Sequence, residues 1–217
     1  MPIRYSCFIS YPHGQGTLIK KFVEQLKVEL ADRIDFYINC PLFLDEDRLK
    51  PGYRFNEALS KAICESVCMI VVYMPKYEKN SYCVREFAAM EQIERERLDR
   101  LGDRLQTPLG MIIPIIWRCV EQDGQEMLPG WITEGRQYWN VSRYAIGTDN
   151  IFANTESVKR LEQIAQSIDT LYRALGTLEQ DPCSGCGEFT IPGENVVQDR
   201  IVAARWTETP FPGRVGA

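Results

Sequence analysis

The alternation of short apolar runs with longer amphipathic stretches constrains the fold of this chain most strongly. Residues 4–11, 68–73 and 111–117 are strand-like, and helical patterns separate them. The runs are continuously apolar rather than alternating, as is typical of strands covered on both faces. Strands that alternate with helices predict a parallel sheet with helices on both sides.

Weaker signals complete the predicted order of elements. A second strand is expected within residues 34–44, although Pro41 interrupts it. A fifth strand is expected at 137–141, and residues 121–135 are expected to form a loop or a short helix. The sequence therefore predicts an α/β fold with a five-stranded parallel sheet.

Four stretches have helical periodicity, at 17–30, 55–66, 81–104 and 155–175. Thr17 is expected to cap the first of them, with Leu18 and each fourth residue after it facing the core. Acidic and basic residues share one face of the third helix, which predicts a solvated surface. That face consists of Glu91, Glu94, Arg95, Glu96, Arg97, Asp99 and Arg100.

The helical and strand-like pattern stops near Gly176. The 217 residues suit one domain of ordinary size with an extension, which predicts a domain at 1–175 and an extension at 176–217. The extension is rich in Gly, Pro and Thr, and we expect it to pack on the domain or to dock a partner.

Charge and hydropathy argue against two classes of protein. The 30 acidic and 25 basic residues give a net charge of −5, which is unlike a nucleic-acid-binding surface. No apolar run approaches the roughly 20 residues of a membrane span, and residues 1–11 lack the pattern of a secretory signal. We therefore expect a soluble, cytoplasmic protein that binds neither nucleic acid nor membrane.

Eight cysteines are present, and most of them lie in or beside apolar stretches. Without a secretion signal, they are expected to be reduced. Cys183 and Cys186 have the spacing of half a zinc site, but a structural zinc site needs four ligands. The sequence predicts a tight turn with two incidental thiols and no metal.

Glu86 is the strongest candidate for a functional residue. It lies near the start of the third helix, after the strand at 68–73. Open parallel sheets present such side chains to a cleft at the carboxyl edge of their strands. A carboxylate there can hold ribose hydroxyls and stabilise positive charge on a sugar, which favours cleavage of an N-glycosidic bond in a nucleotide such as NAD⁺. The alternative is an ordinary glutamate favoured by the helix dipole.

Four segments resemble the boxes of TIR domains (Toll/interleukin-1 receptor homology), in the same order. Residues 5–11 resemble the first box, with Ser6 where the family usually has aspartate. Residues 44–52 resemble the BB loop, and 111–117 resemble the fourth strand. The segment from 70 to 86 is similar to the strand and active-site helix of NAD-cleaving members. Its matching positions are Tyr77, Ser81, Tyr82, Cys83 and Glu86, with Tyr82-Cys83 where the family usually has Trp-Cys.

The resemblance implies a flavodoxin-like TIR fold over residues 4–175 and, because the Glu86 position is filled, the catalytic class. It assigns Glu86 as the catalytic carboxylate and NAD⁺ as a substrate rather than a cofactor. The substrate-binding residues that it implies are Phe8, Ile9, Ser10, Asp45, Arg48, Tyr82 and Cys83.

The resemblance leaves the product open between ADP-ribose and a cyclic ADP-ribose. It also implies a role in anti-phage defence, with regulation in trans by a partner or by self-assembly. Two alternatives stand beside it. One is a non-catalytic TIR scaffold that signals through BB-loop assembly, and the other is an enzyme similar to nucleoside deoxyribosyltransferases, which share a parallel sheet and a glutamate.

Overall fold

The computed structural model describes residues 3–14, 16–44, 55–105, 108–122, 125–144, 151–178 and 185–197. The predicted alternation of strands and helices is present in these residues. In chain order the elements are β1 (Tyr5–Ser10), α1 (Thr17–Tyr37), β2 (Phe43–Leu44), α2 (Phe55–Cys64), β3 (Ser66–Tyr73), α3 (Ser81–Leu101), β4 (Ile112–Ile116), β5 (Val120–Gln122), β6 (Gln125–Met127), α4 (Gly130–Thr133), β7 (Trp139–Asn140) and α5 (Thr155–Gly176).

Five parallel strands form the main sheet of the described residues, in the order β2-β1-β3-β4-β7. The chain moves from β1 to one side for β2 and then to the other side for β3. This reversal is the topological switch point of a flavodoxin-like sheet, beside which ligands of such folds bind. The predicted fold class is confirmed.

Helices cover both faces of the sheet. Helices α1 and α5 pack on each other, and α2 and α3 pack on each other. All eight residues of β3 are buried, as expected for a central strand covered from both sides. The core is continuous from β1 through β4 to the inner face of α5.

In the part of the chain that the structure describes, the two outer strands, β2 and β7, have two residues each. Pro114 accounts for the length of β7. The amide N–H of Val141 donates to the carbonyl of Ile116. The backbone N–H and C=O groups of the even-numbered residues of β4 therefore point toward β7. The backbone of Pro114 points the same way, but proline has no N–H to donate. The pairing with β7 therefore begins only at Ile115.

The first helix differs from the prediction at both ends. Its N-cap is Gly16, with φ 103°, and no side chain caps it, so the predicted capping by Thr17 is wrong. Leu18 is 61% exposed and does not belong to the buried stripe. The helix continues to Tyr37, which leaves only Phe43–Leu44 for the second strand.

Residues 121–135 also differ from the predicted loop or short helix. Strands β5 and β6 pair antiparallel in this region, and the four-residue helix α4 follows them. The predicted short helix is therefore present, but the hairpin before it was missed.

The charged face of α3 is not uniformly solvated. Glu94 is 7% exposed and accepts hydrogen bonds from the backbone N–H of Met111, at 2.6 Å, and from both terminal nitrogens of Arg136, at 2.9 and 2.6 Å. Arg97 is fully buried and donates to the carbonyls of Ser66 and Cys64, at 2.6 and 2.8 Å. The prediction of a solvated face is wrong at these two positions, which instead tie α3 to the start of β4 and to the end of α2.

The cysteine prediction is wrong for one pair. Cys64, at the end of α2, forms a disulfide with Cys186, which lies 122 positions further along the chain. Cys186 therefore is not an incidental thiol, while Cys183 lies outside the described residues. Within the described ranges, no group of three or more metal-ligating side chains is present. No helix in those ranges is both long enough and apolar enough to cross a bilayer.

Candidate functional site

Three side chains from separate elements meet at the switch point. Ser10 is the last residue of β1, Tyr77 lies in the turn after β3, and Glu86 lies in the second turn of α3. All three are buried, and Glu86 is only 4% exposed. A carboxylate placed so far from bulk water requires hydrogen-bonding partners, because burying an unpaired charge is costly.

Local sequence places Glu86 by fixing where α3 begins. Asn80 is the N-cap, and its side-chain oxygen accepts from the backbone N–H groups of Tyr82 and Cys83. This bonding satisfies donors that a helix start leaves without partners. The preceding turn is held by the backbone N–H of Asn80, which donates to the carbonyl of Tyr77. Helix α3 therefore starts at a defined position next to β3.

A hydrogen-bonded relay connects the three side chains. The Ser10 hydroxyl donates to Oε2 of Glu86 at 2.6 Å, and Oγ of Ser10 lies 2.8 Å from the Tyr77 hydroxyl oxygen. Because Ser10 has one proton and gives it to Glu86, Tyr77 must be the donor in the second contact. The Tyr77 hydroxyl also lies 3.2 Å from the carbonyl oxygen of Cys83, so its single proton is shared between that oxygen and Oγ of Ser10. Each bond of such a chain polarises the next.

The surroundings of Tyr77 favour its protonated form. Burial raises the pKa of Tyr77 well above its usual value, and the nearby Cys83 and Glu86 raise that pKa further. The phenol therefore keeps its proton throughout the ordinary pH range. Within the relay, the hydroxyl of Ser10 is the donor to the carboxylate of Glu86.

Three aromatic rings border the relay beside that of Tyr77. Trp131, in α4, lies 4.4 Å from Phe87 between ring centroids and 6.1 Å from Tyr77. Tyr73 completes the group with an edge contact to Trp131 at 5.8 Å. Glu78 fastens this aromatic group, since it accepts from the indole N–H of Trp131 at 3.2 Å and from the hydroxyl of Tyr73 at 3.4 Å. Burial raises the pKa of Glu78 above its usual value.

The predicted site residues have unequal environments. The side chains of Phe8 and Ile9 are buried in the sheet, and the ring of Phe8 stacks on Phe43 at 5.3 Å. Cys83 is buried, whereas Tyr82 is 50% exposed and faces the guanidinium of Arg85 at 5.8 Å. Substrate contact by any of these residues stays a prediction.

Asp45 and Arg48 lie outside the described residues, as do the other positions of the predicted BB loop from 45 to 52. Their predicted contacts with substrate, and the predicted assembly through this loop, therefore stay predictions.

Sequence reasoning gave no role to Tyr77 or Trp131. Tyr77 follows β3 at the switch-point edge, and that position was the available signal for it. Trp131 lies in the segment expected to be a loop or short helix, and nothing local indicates that it packs against the second turn of α3.

A separate cavity of about 480 Å³ lies at the opposite edge of the sheet. Its lining includes Ile112, Arg136, Trp139 and Arg160, and it contains none of the relay residues. Ile112 and Trp139 begin β4 and β7, so this cavity lies at the amino edge of the strands. Ligands of open α/β sheets bind at the carboxyl edge, and we therefore place the candidate site at Glu86.

Similarity to known proteins is found both in sequence and among solved structures. The sequence model of the TIR-domain family matches residues 7–151. A probable 2′ cyclic ADP-D-ribose synthase of Brachypodium distachyon, BdTIR, is 32% identical over 87 residues, which cover 40% of this chain. The matched region spans 36% of the length of that relative.

Among solved structures, similarity is found to the TIR domains of the activated Roq1 resistosome, described as directly recognising the pathogen effector XopQ. The TM-score is 0.41 at 18% identity, and the alignment covers 92% of this chain and 98% of the other.

Proposed function

The chain belongs to the TIR-domain family, and from that premise we propose that it cleaves the bond between nicotinamide and ribose in NAD⁺. One observation carries the proposal. A buried glutamate, Glu86, lies at the switch point of the sheet with a hydroxyl donor from β1 on its carboxylate. The proposed role of Glu86 is to stabilise the ribosyl cation.

The chemistry requires little beyond a fixed negative charge. The C1′–N bond breaks, and its electron pair neutralises the pyridinium ring, so nicotinamide leaves without a general acid. Positive charge then develops on the ribose as an oxocarbenium-like species. A preorganised carboxylate in a site with little water stabilises that charge more strongly than one in bulk solvent. The same carboxylate can accept hydrogen bonds from the ribose hydroxyls.

Two products are compatible with this first step. Attack of water at C1′, followed by loss of its proton, gives ADP-ribose. Attack by a hydroxyl or ring nitrogen of the same dinucleotide gives a cyclic product that is one water lighter. The Brachypodium relative is a probable cyclic ADP-D-ribose synthase and is 32% identical over the matched region. This similarity supports the cyclic outcome for this chain.

The test is chromatography with mass detection of NAD⁺ incubated with the purified protein. We expect release of nicotinamide together with a second product, whose mass distinguishes hydrolysis from cyclisation. Base exchange on deoxynucleosides without cleavage of NAD⁺ would instead support the deoxyribosyltransferase alternative. Absence of both reactions would favour the non-catalytic scaffold.

We also propose regulation in trans, by self-assembly or by a protein partner, within antiviral defence. Measuring turnover per molecule across protein concentrations tests the self-assembly form of this idea. Turnover that rises with concentration supports it, and full activity of the dilute monomer contradicts regulation in trans.

Ser10→Ala is expected to lower nicotinamide release about tenfold to a hundredfold, which corresponds to the roughly 1.5–3 kcal/mol of a hydrogen bond to a charged group. The expected loss is mainly in kcat if Ser10 acts by positioning Glu86, whereas a loss mainly in KM would support the predicted contact of Ser10 with substrate. The measurement is kcat and KM of the variant beside the wild type.

Ser6→Ala is the matched control. Ser6 lies on the same strand and, by the alternation of strand side chains, on the same face as Ser10. It is also buried, but its hydroxyl makes no hydrogen bond among the described residues. Activity of Ser6→Ala should remain close to that of the wild type. Equal losses in both variants would indicate a general packing effect and would contradict the positioning role.

A further inference from the structure

Residues 185–197, here called the strap, lie across α2 and the first turn of α3. Four separate contacts fasten the strap. Two of them join it to α2: the disulfide from Cys186 to Cys64, and a hydrogen bond from the backbone N–H of Ile191 to the Ser60 hydroxyl at 2.9 Å. The other two join it to α3. Nε of Arg85 donates to the Pro192 carbonyl at 2.7 Å, and the Ser81 hydroxyl donates to Glu194 at 3.1 Å.

The strap is partly built into the core. Cys186, Ile191 and Val197 are buried, and Phe189 packs against the core. An apolar segment of this kind belongs to the fold while it is attached. The disulfide is its only covalent attachment within the described residues apart from the chain itself.

The other end of the strap touches the helix that carries Glu86. Ser81 and Arg85 belong to the first turns of α3, and the guanidinium of Arg85 also faces the ring of Tyr82. Contacts with Glu194 and Pro192 therefore restrain the turn from which Tyr82 and Glu86 project. Releasing the strap removes both restraints without changing any residue of the relay.

We propose that the strap is a redox-controlled restraint on the candidate site. With the Cys64–Cys186 bond formed, the strap holds the start of α3 in place. A dithiol reductant cleaves the bond by thiol–disulfide exchange: its two thiols supply two electrons and two protons, it becomes a disulfide, and Cys64 and Cys186 become thiols. The strap then detaches more readily, and the start of α3 loosens. Disulfides in reducing compartments are typically transient and redox-sensing.

The bond itself is tested first, on the full chain. The protein is denatured in N-ethylmaleimide without reductant, so that buried thiols are also alkylated, and peptides are mapped by mass. We expect Cys64 and Cys186 to be unlabelled before dithiothreitol treatment of the folded protein and labelled after it. Labelling before treatment, or a disulfide that survives it, would overturn the proposal.

The restraint is tested by hydrogen exchange of peptides that cover 81–90 and 189–197. A disulfide that closes a long loop strongly disfavours opening of the segments it joins, so reduction should speed exchange in both peptides about tenfold or more. Cys186→Ser should exchange at the faster rate with and without dithiothreitol. Cys40→Ser, which removes a half-buried cysteine outside the disulfide, should behave like the wild type. Equal exchange in oxidised wild type and Cys186→Ser would overturn the restraint.

The effect on turnover rests on the proposed function. Reduction and Cys186→Ser should each lower nicotinamide release severalfold, because a looser α3 holds Glu86 less well. A protein that is inactive in both redox states would contradict the proposed function while leaving the exchange result intact. Hydrogen exchange that is unchanged by reduction, together with normal nicotinamide release, would contradict the restraint proposed for the strap but not the proposed function.

Discussion

Replacing Glu86 by glutamine is expected to reduce nicotinamide release about 10²–10³-fold, the typical loss when one preorganised electrostatic group is removed from an active site. The amide has nearly the shape of the carboxylate, and its oxygen can still accept from Ser10. The negative charge that opposes the ribosyl cation is lost, and one acceptor oxygen becomes an NH₂ donor. The variant should therefore keep the fold and part of its affinity for NAD⁺.

Glu96→Gln is the matched control for that substitution. It makes the same change at an exposed position of α3, where Glu96 bonds only to Gln92 among the contacts described for it. Turnover should be unchanged. The two variants are compared by kcat, by thermal melting and by NAD⁺ binding. Wild-type turnover in Glu86→Gln would contradict the assignment of Glu86.

Arg97→Ala is expected to cause the largest loss of stability, about 3 kcal/mol or more, since it creates a cavity and deprives buried carbonyls of donors. The guanidinium of Arg97 bonds two carbonyls where α2 ends and β3 begins, so its removal affects the junction of two elements. For a chain of this length, 3 kcal/mol corresponds to a fall in Tm of about 6–12 °C.

Arg95→Ala tests whether burial causes this effect. Arg95 is exposed on the same helix, and a surface substitution usually changes stability by no more than about 0.5 kcal/mol. Denaturant and thermal unfolding of both variants give the comparison. Similar stabilities for the two would show that the buried contacts of Arg97 contribute little.

The sequence was most informative where local pattern and burial coincide. A strand was predicted at residues 68–73, and strand β3 extends from Ser66 to Tyr73 with every position buried. Glu86 could be selected as a candidate because it follows such a strand and because residues 70–86 resemble the active-site segment of NAD-cleaving TIR domains. The strand needs only neighbouring residues and the general topology of α/β folds, whereas the role proposed for Glu86 also needs the resemblance.

The features missed depend on contacts between distant residues. Arg97 lies on a face that looks like an ordinary charged surface, and only the position of α2 shows that it is buried. The disulfide joins residues 122 positions apart, and no local pattern pairs them. The relay has the same origin, since Ser10 and Glu86 are 76 positions apart.

The charged periodicity of α3 misled for a related reason. Such periodicity distinguishes polar faces from apolar ones. It does not show which polar residues are buried with hydrogen-bonding partners in the protein interior. Glu94 is buried because Arg136 and the backbone at the start of β4 supply its hydrogen bonds.

The short outer strands limit how copies of this chain can associate. A long, unpaired edge strand is a template on which a second molecule can extend a sheet. Among the described residues each edge strand has two residues, and Pro114 provides no N–H on the β7 side. Addition of a strand from another copy would therefore gain few hydrogen bonds. If copies assemble, we expect helix and loop surfaces to make the contacts, and a filament continued through the β-sheet would be disfavoured.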